Sequence, residues 1–223
     1  MKETPGAESR PYHHGDLRRA LVDAARQLLE RDGPNALSLR AVAREAGVSP
    51  AAPYHHFKDK SELLDAVAEQ GWAMLSEFLT GARATSSDKR DRISEVGLSY
   101  VKFARAHPAL YRLMYDCSRN RAALPEQSGD ERGAFGHVRE RLIAAGVRED
   151  DTFGIELATI GSWCAAHGLA EMAGFKQFDS LKEAMGGEDA FLRGVLRRMG
   201  GVVDLVPDHA ASDDGETSPD KGA

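Results

Sequence analysis

Hydroxyl, imidazole, phenol and basic side chains alternate with alanines between residues 38 and 60, a combination suited to contacting a nucleic acid. Polar and basic side chains donate hydrogen bonds to phosphate oxygens, whereas small apolar side chains can lie against thymine methyl groups. We therefore expect a surface that contacts double-stranded DNA. Its candidate residues are Ser38, Arg40, Ser49, Ala51, Ala52, Tyr54, His55, His56, Lys58 and Lys60.

The residue types within this surface predict different contacts. The phenol of Tyr54 and the imidazole of His56 suit phosphate oxygens, and His55 can reach either a base edge or a phosphate. Lys60 stands at an expected helix start, where its charge and the helix dipole both favour a phosphate. Adjacent histidines can also bind a metal ion, but no third ligand lies nearby at metal-ligand spacing, so we predict no metal site.

Two short helices joined by a tight turn must position these residues. Gly47 can take the left-handed conformation that ends the first helix. Ser49 followed by Pro50 is a strong helix start, and we expect this second helix to run to about Phe57, which fills the core of the small domain. The second helix carries little apolar bulk, which indicates that it is exposed. This order is typical of the helix-turn-helix arrangement, whose second helix enters the DNA major groove.

The same stretch resembles the DNA-binding domain of the tetracycline-repressor (TetR) family of bacterial regulators. The resemblance covers about residues 15–64, and its most specific run is AGVSPAAPYHHFKDKSELL, in which Tyr54, Phe57 and Lys60 have the family's spacing. It implies the same DNA contacts at the matching positions. Pro53 departs from the pattern, because many members carry a larger side chain there. Proline removes one helical hydrogen bond and leaves the groove-facing side chains small, so the resemblance does not indicate which bases are read.

A second resemblance points to one subgroup of this family. The run PYHHGDLRRAL at residues 11–21, together with Trp163, His167 and Gly168, is similar to one subgroup whose C-terminal domain is named for that Trp-His-Gly pattern. The resemblance implies a homodimer made from the last two long helices of each chain.

Apolar residues recur at helical spacing along most of the chain and predict an all-α fold. We expect an N-terminal three-helix helix-turn-helix domain and a C-terminal helical domain for ligand binding and dimerisation. The expected divisions are a flexible arm at 1–14, the DNA-binding domain at 15–62, a linking helix to about residue 80, the helical domain at 63–206 and a disordered acidic tail at 207–223.

Small residues recur at heptad spacing in the expected helix 151–173, which would let another helix approach closely. Large residues occupy the opposite side and are expected to point into the body of the domain: Ile160, Trp163 and His167. Two such helices from each chain can build a four-helix bundle across a two-fold axis. The candidate interface residues are Gly154, Ala158, Gly161, Ala165, Gly168, Leu192, Val195 and Met199.

Large aromatic and sulfur-containing side chains in the C-terminal region can either pack a core or enclose an apolar cavity for a small molecule. The candidate pocket residues are Trp72, Phe103, Tyr111, Met114, Phe135, Trp163 and His167. For Trp163 and His167 in particular, packing within the core is the alternative that the sequence leaves open.

Composition excludes several classes of protein. The 223 residues carry a net charge of −6, but residues 1–60 hold ten Lys and Arg against eight Asp and Glu. This weakly positive N-terminal region on an acidic body is compatible with DNA binding. No apolar run is long enough to span a membrane, and the N-terminus lacks the apolar core of a secretion signal. Cys117 and Cys164 are expected to be buried or half-buried thiols in a reducing cytoplasm.

The sequence therefore predicts a cytoplasmic, ligand-responsive transcriptional repressor that binds a palindromic operator as a homodimer. A small-molecule effector would release it by favouring a conformation that misfits the operator. The alternative is an architectural DNA-binding protein without an effector. An enzyme using the body's His and Tyr residues is disfavoured, since no phosphate-binding loop, nucleophile elbow or HExxH helix is present, and no cofactor is expected.

Overall fold

A computed structural model describes residues 14–81, 89–119, 133–146 and 150–200. These residues form helices and turns with no strand, as the sequence predicted, and no described helix is long and apolar enough to cross a membrane. The predicted tail at 207–223 and all but the last residue of the predicted arm lie outside this part of the chain. The helices are α1 His14–Asp32, α2 Leu39–Glu45, α3 Lys60–Gly81, α4 Lys89–Ala106, α5 Pro108–Arg119, α6 Ala134–Ala144, α7 Thr152–Met172, α8 Asp179–Ala184 and α9 Glu188–Gly200.

Backbone contacts divide the chain into two compact units. The first comprises residues 1–83 and 99–137, and the second comprises residues 84–98 and 138–223. The first unit therefore contains α5 and the C-terminal part of α4, residues 99–106, in addition to the three predicted helices of the DNA-binding domain. This division differs from the expected boundary after residue 62, because α5 packs against both α1 and α3.

Helices α3 and α5 approach each other closely in the first unit. A Cβ atom built on Gly71 of α3 would lie 2.7 Å from the sulfur of Met114 and 3.0 Å from a methyl group of Leu110. Both of these α5 side chains are fully buried. The absence of a side chain at residue 71 therefore permits the close packing of the two helices.

In the second unit, α9 packs against α7 and α8, and its basic residues pair with the N-terminal half of α4. Arg197 Nε lies 2.9 Å from Asp91 Oδ1, and Arg193 pairs with Glu95. The Asp151 carboxylate caps α7 by accepting a hydrogen bond from the Gly154 amide at 2.9 Å. The sequence did not predict α8, whose six residues are too few to show a helical repeat.

The two faces of α7 differ from the sequence-based prediction. Trp163 is buried and His167 is half-buried, but Ile160 is 53% exposed, so the expectation that all three point inward was wrong for Ile160. Ile160 instead shares an exposed face with Phe153 (80% exposed) and Leu157 (63%). Successive members of this apolar α7 face are separated by four and three residues, which places them on one side of the helix.

The small residues of α7 do not form a single exposed stripe. Gly154 and Ala158 are buried within their own chain, Ala165 and Gly168 are half-buried, and Gly161 is exposed. A strict seven-residue repeat drifts around a straight α-helix, so its members pass from the buried side to the exposed side.

The remaining predicted interface residues and the cysteines also differ among themselves. Leu192 of α9 is buried within its own chain, Val195 is half-buried and Met199 is exposed. Cys117 is half-buried as expected, but Cys164 is exposed because it lies on the apolar α7 face.

Replacing Gly71 with valine is expected to destabilise the first unit. The added isopropyl group would have to displace the buried side chains of α5, which costs about 1–3 kcal/mol of unfolding free energy. Chemical denaturation monitored by circular dichroism would measure this loss. Ala73→Val is the matched control, because residue 73 is exposed on the same helix; equal stabilities of the two variants would contradict the close-packing account.

Candidate nucleic-acid interface

Helix α2 presents a polar face and buries an apolar one. The Oγ atom of Ser38 caps the helix by accepting a hydrogen bond from the Ala41 amide at 3.1 Å, and Val42 and Ala43 are buried. Arg40 is exposed, as is Arg44 one turn later. Sequence reasoning missed Arg44, although its four-residue spacing from Arg40 places both on the same side of the helix.

The turn after α2 has the predicted geometry. Gly47 has a φ angle of 69°, in the left-handed region that favours glycine. Its amide donates to the carbonyl of Arg44 at 3.2 Å, and the amide of Val48 donates to the carbonyl of Ala43 at 2.9 Å. These two bonds satisfy carbonyl groups that the end of a helix otherwise leaves open. The expectation for Gly47 is therefore confirmed.

The next element, the recognition segment at residues 49–57, differs from the predicted α-helix. Only Ala52–His55 is helical, and it is a 3₁₀ helix without a side-chain cap, so Ser49 does not cap an α-helix. Amides donate to carbonyls three residues earlier, from Ala52 to Ser49 at 3.0 Å and from Tyr54 to Ala51 at 3.1 Å. Pro53 has no N–H with which to make the four-residue bond back to Ser49, which favours this tighter geometry.

Exposure divides the recognition segment into an outer and an inner side. Ala51, Tyr54 (54% exposed) and His55 lie on the outside, where they can reach a ligand. Pro53 and Phe57 are buried. The expected role of Phe57 in the core is therefore confirmed, and Pro53 anchors the segment rather than facing outward.

Three predicted contact residues at this surface differ in exposure. Ser49 is exposed, whereas Ala52 and His56 are half-buried. On the inner side, the guanidinium carbon of Arg18 lies 5.3 Å from the centre of the Phe57 ring, so α1 supports the segment from behind.

The start of α3 is held by reciprocal capping. The Asp59 carboxylate accepts a hydrogen bond from the Glu62 amide at 3.0 Å, and the Glu62 carboxylate accepts one from the Lys58 amide at 2.7 Å. Lys60 Nζ donates to the carbonyl of Pro34 at 3.1 Å. This bond holds the exposed ammonium group in place and leaves two of its N–H donors for an incoming acceptor.

A charged pair that sequence reasoning missed ties α1 to α2. The two terminal nitrogens of Arg31 lie 2.8 and 3.0 Å from the two carboxylate oxygens of Glu45. These hydrogen bonds lower the pKa of the Glu45 carboxyl below its usual range. Fourteen residues separate the partners, so helical periodicity within one element gives no signal of the pair.

The candidate pocket residues fall in both compact units, and most are buried. In the first unit, Trp72, Phe103, Tyr111 and Met114 are buried and Phe135 is half-buried; the positions of Trp163 and His167 in the second unit are described above. Among the described residues, no group of three or more His, Cys, Asp and Glu side chains is arranged to hold a metal ion.

Three tyrosine hydroxyls form a polar cluster in this otherwise apolar interior. Tyr100 shares hydrogen bonds with Tyr111, at 3.1 Å between hydroxyl oxygens, and with Tyr115. Burial, followed by the neighbouring phenols, raises the pKa of Tyr100 well above its usual range, so its hydroxyl stays protonated. Sequence reasoning included Tyr111 alone of the three.

Family models match both parts of the chain. Residues 21–67 match the model described as bacterial regulatory proteins, tetR family, and residues 93–199 match that of a tetracyclin repressor-like C-terminal domain. Together these matches include the helix-turn-helix elements and most of the C-terminal helices. The second description does not confirm the Trp-His-Gly subgroup that the sequence suggested.

Solved structures share the fold across nearly the whole of their chains. A Rhodococcus sp. RHA1 protein of unknown function is 32% identical, with 87% of this chain and 97% of that chain covered and a TM-score of 0.63. The Streptomyces coelicolor transcriptional regulator SCO7222, a TetR, is 24% identical, with coverages of 84% and 94% and a TM-score of 0.56. A Haemophilus influenzae TetR-family regulator is 21% identical, with coverages of 84% and 96% and a TM-score of 0.53.

The two family models agree with the positions of the helix-turn-helix elements and the C-terminal helices in the structure. The chain therefore belongs to the TetR family of bacterial transcriptional regulators, and it is a DNA-binding regulator rather than an enzyme.

Proposed function

We propose that this regulator is a repressor that binds a palindromic operator as a homodimer and is released by a small-molecule effector. The observation that carries the proposal is the set of exposed polar and basic side chains on three adjacent elements. Arg40 on α2, Tyr54 and His55 on the recognition segment, and Lys58 and Lys60 around the start of α3 are all exposed. Such a set combines phosphate contacts, which fix orientation, with groups that can reach base edges.

The outer side of the recognition segment suits the major groove. Ala51 is small and exposed, so the segment can approach the bases closely and meet thymine methyl groups. His55 next to it offers a donor or an acceptor to a base edge, while Tyr54 and Lys60 suit flanking phosphates. Pro53 is buried, so in this proposal it shapes the segment without contacting DNA.

The proposed dimer forms through the apolar α7 face. Phe153, Leu157 and Ile160 are each more than half exposed, and a contiguous apolar surface of this kind is typical of protein interfaces. A Cβ atom added to Gly161 would meet no atom within 4 Å. A partner helix could therefore approach α7 closely at its middle, and exposed Met199 of α9 can extend the contact.

The proposed effector would bind among the aromatic residues of the C-terminal region. In support, the hydroxyls of Tyr100, Tyr111 and Tyr115 offer hydrogen bonds in an apolar setting, which is the usual composition of a small-molecule site. The burial of Trp72, Phe103 and Met114 favours the alternative, an architectural DNA-binding protein without an effector. A screen for small molecules that raise the melting temperature and release DNA separates the two, because a sealed core would yield none.

The experiment that tests the main proposal is fluorescence anisotropy with the DNA upstream of the protein's own gene. A scrambled duplex of the same length is the comparison, and both are titrated at two salt concentrations. Tight binding to the upstream DNA alone would support an operator there. If that DNA gives no preference, selection of duplexes from a random pool tests for an operator elsewhere, and equal binding to every duplex would support the architectural alternative.

Replacing Lys60 with alanine is expected to weaken binding to all DNA sequences by a similar factor. Each lost phosphate contact should reduce the slope of log affinity against log salt by about 1 per subunit. Titrations of the operator and of the scrambled duplex at several salt concentrations measure both effects. Lys176→Ala serves as the control, because Lys176 is exposed in the second unit. A selective change in base preference would show that Lys60 does not act on phosphate.

Tyr54→Phe should also weaken binding to all sequences, since it removes one hydrogen bond to phosphate, typically worth about 1 kcal/mol. The phenol is neutral, so the salt slope should stay unchanged. Anisotropy titrations of operators with single base substitutions check this assignment. A loss confined to one base pair would place Tyr54 on a base edge instead.

Replacing Leu157 with glutamate should convert the dimer into monomers, because it puts two charges into the proposed apolar contact. Light scattering or analytical ultracentrifugation reports the mass directly. Leu181→Glu is the matched control, since Leu181 is 50% exposed and belongs to α8 instead of α7. Gly161→Leu should also split or misalign the dimer, and unchanged dimer masses for both α7 variants would rule out this interface.

A further inference from the structure

The N-terminus of helix α5 has an unusual set of hydrogen-bond partners. The helix begins at Pro108, which has no N–H, and the amide of His107 donates to the carbonyl of Phe103 at 2.9 Å. The first intrahelical bond runs from Tyr111 to the carbonyl of His107 at 2.8 Å. Only the second and third helical amides then need a partner from outside the helix, which a capping side chain next to the helix usually supplies.

The partner comes instead from a distant helix. One carboxylate oxygen of Glu30, in the last turn of α1, accepts from the Ala109 amide at 3.3 Å, and the other accepts from Leu110 at 3.3 Å. About eighty residues of sequence separate these groups. The negative charge also lies at the positive end of the α5 dipole, and His107 Nδ1 is 3.7 Å from the same carboxylate.

Adjacent residues of α1 therefore hold two different elements. Glu30 binds α5, whereas Arg31 binds Glu45 of α2, the helix that leads through the Gly47 turn into the recognition segment. Helix α5 is held on its other side by α3, through the close packing at Gly71. All of these contacts lie within the first compact unit.

We propose that Glu30 is a positioning residue whose carboxylate locks α5 to α1. Helices α1, α2, α3 and α5 then move as one body, which holds the recognition segment in one orientation and restricts each dimer to one spacing of DNA half-sites. This proposal rests on the proposed homodimer and operator. It assigns α5 to the DNA-binding body, although α5 contributes no residue to the DNA-contacting surface.

Half-site spacing provides a direct test, because inserting one base pair moves a half-site by about 3.4 Å and rotates it by about 35°. A duplex selected by the full-length protein from a random pool is remade with its half-sites one base pair closer or further apart. Anisotropy titrations then compare the wild type, Glu30→Ala, Glu30→Gln and Glu77→Ala. Glu77 is an exposed carboxylate on α3. Its removal changes the net charge equally and leaves the two hydrogen bonds from Glu30 to α5 in place.

The wild type and Glu77→Ala should lose about 100-fold in affinity on the altered duplexes, whereas Glu30→Ala should lose less than about tenfold. Glu30→Gln keeps one acceptor oxygen and should fall between them. Melting curves establish that each variant is folded. If Glu30→Ala does not fold, the comparison is made with Glu30→Gln instead. The same spacing profile for a folded Glu30 variant and for Glu77→Ala would overturn the positioning role.

Failure of the proposed function gives a different result. If the wild type selects no duplex, or tolerates every spacing, then the operator-binding dimer itself is wrong, and the positioning role falls with it. If the wild type shows one preferred spacing and the Glu30 variants share it, only the positioning role is wrong. Faster hydrogen exchange at Ala109 and Leu110 in Glu30→Ala would verify that the substitution released these amides.

Discussion

The close packing of α5 on α3 at Gly71 is the constraint on which the first compact unit depends. Two helices whose side chains interlock in the ordinary way lie 8–10 Å apart, and a residue without a side chain permits a closer approach. Met114 and Leu110 occupy the space that a side chain at residue 71 would need. With α5 held here, the amides at its N-terminus lie within reach of Glu30 on α1.

The recognition segment illustrates a second constraint, the missing N–H of Pro53. The sequence correctly predicted a turn at Gly47, an exposed element after it and a buried Phe57, because these features depend on local conformation and on the apolar or polar nature of single residues. The sequence also predicted that Pro53 removes a helical hydrogen bond. It did not predict a 3₁₀ helix or the burial of the proline ring. The burial depends on contacts with other elements, such as α2, against which the 3₁₀ helix packs.

Elsewhere in the chain, too, local features could be predicted from the sequence, whereas contacts between separate elements could not. Long periodic helices such as α3 and α7 were predicted to within a few residues of their ends. Contacts between distant helices had no sequence signal, as the pairs of Glu30 with α5 and of Arg31 with Glu45 show. The prediction that Ile160 faces inward was also wrong. Helix α7 carries apolar residues on more than one side, and periodicity alone does not indicate which of these sides is buried.

Charge and exposed apolar surface are connected in the proposed mechanism. Residues 1–60 carry only two more basic than acidic groups, while the rest of the chain holds 19 Lys and Arg against 27 Asp and Glu. One such DNA-binding domain would attract phosphate weakly and would be opposed by its own body. Joining two copies through the apolar α7 face makes the second contact intramolecular, which raises the affinity without further basic residues. Specific operator binding at physiological salt would then depend on dimer geometry more than on charge, and any effector that alters this geometry could release the DNA.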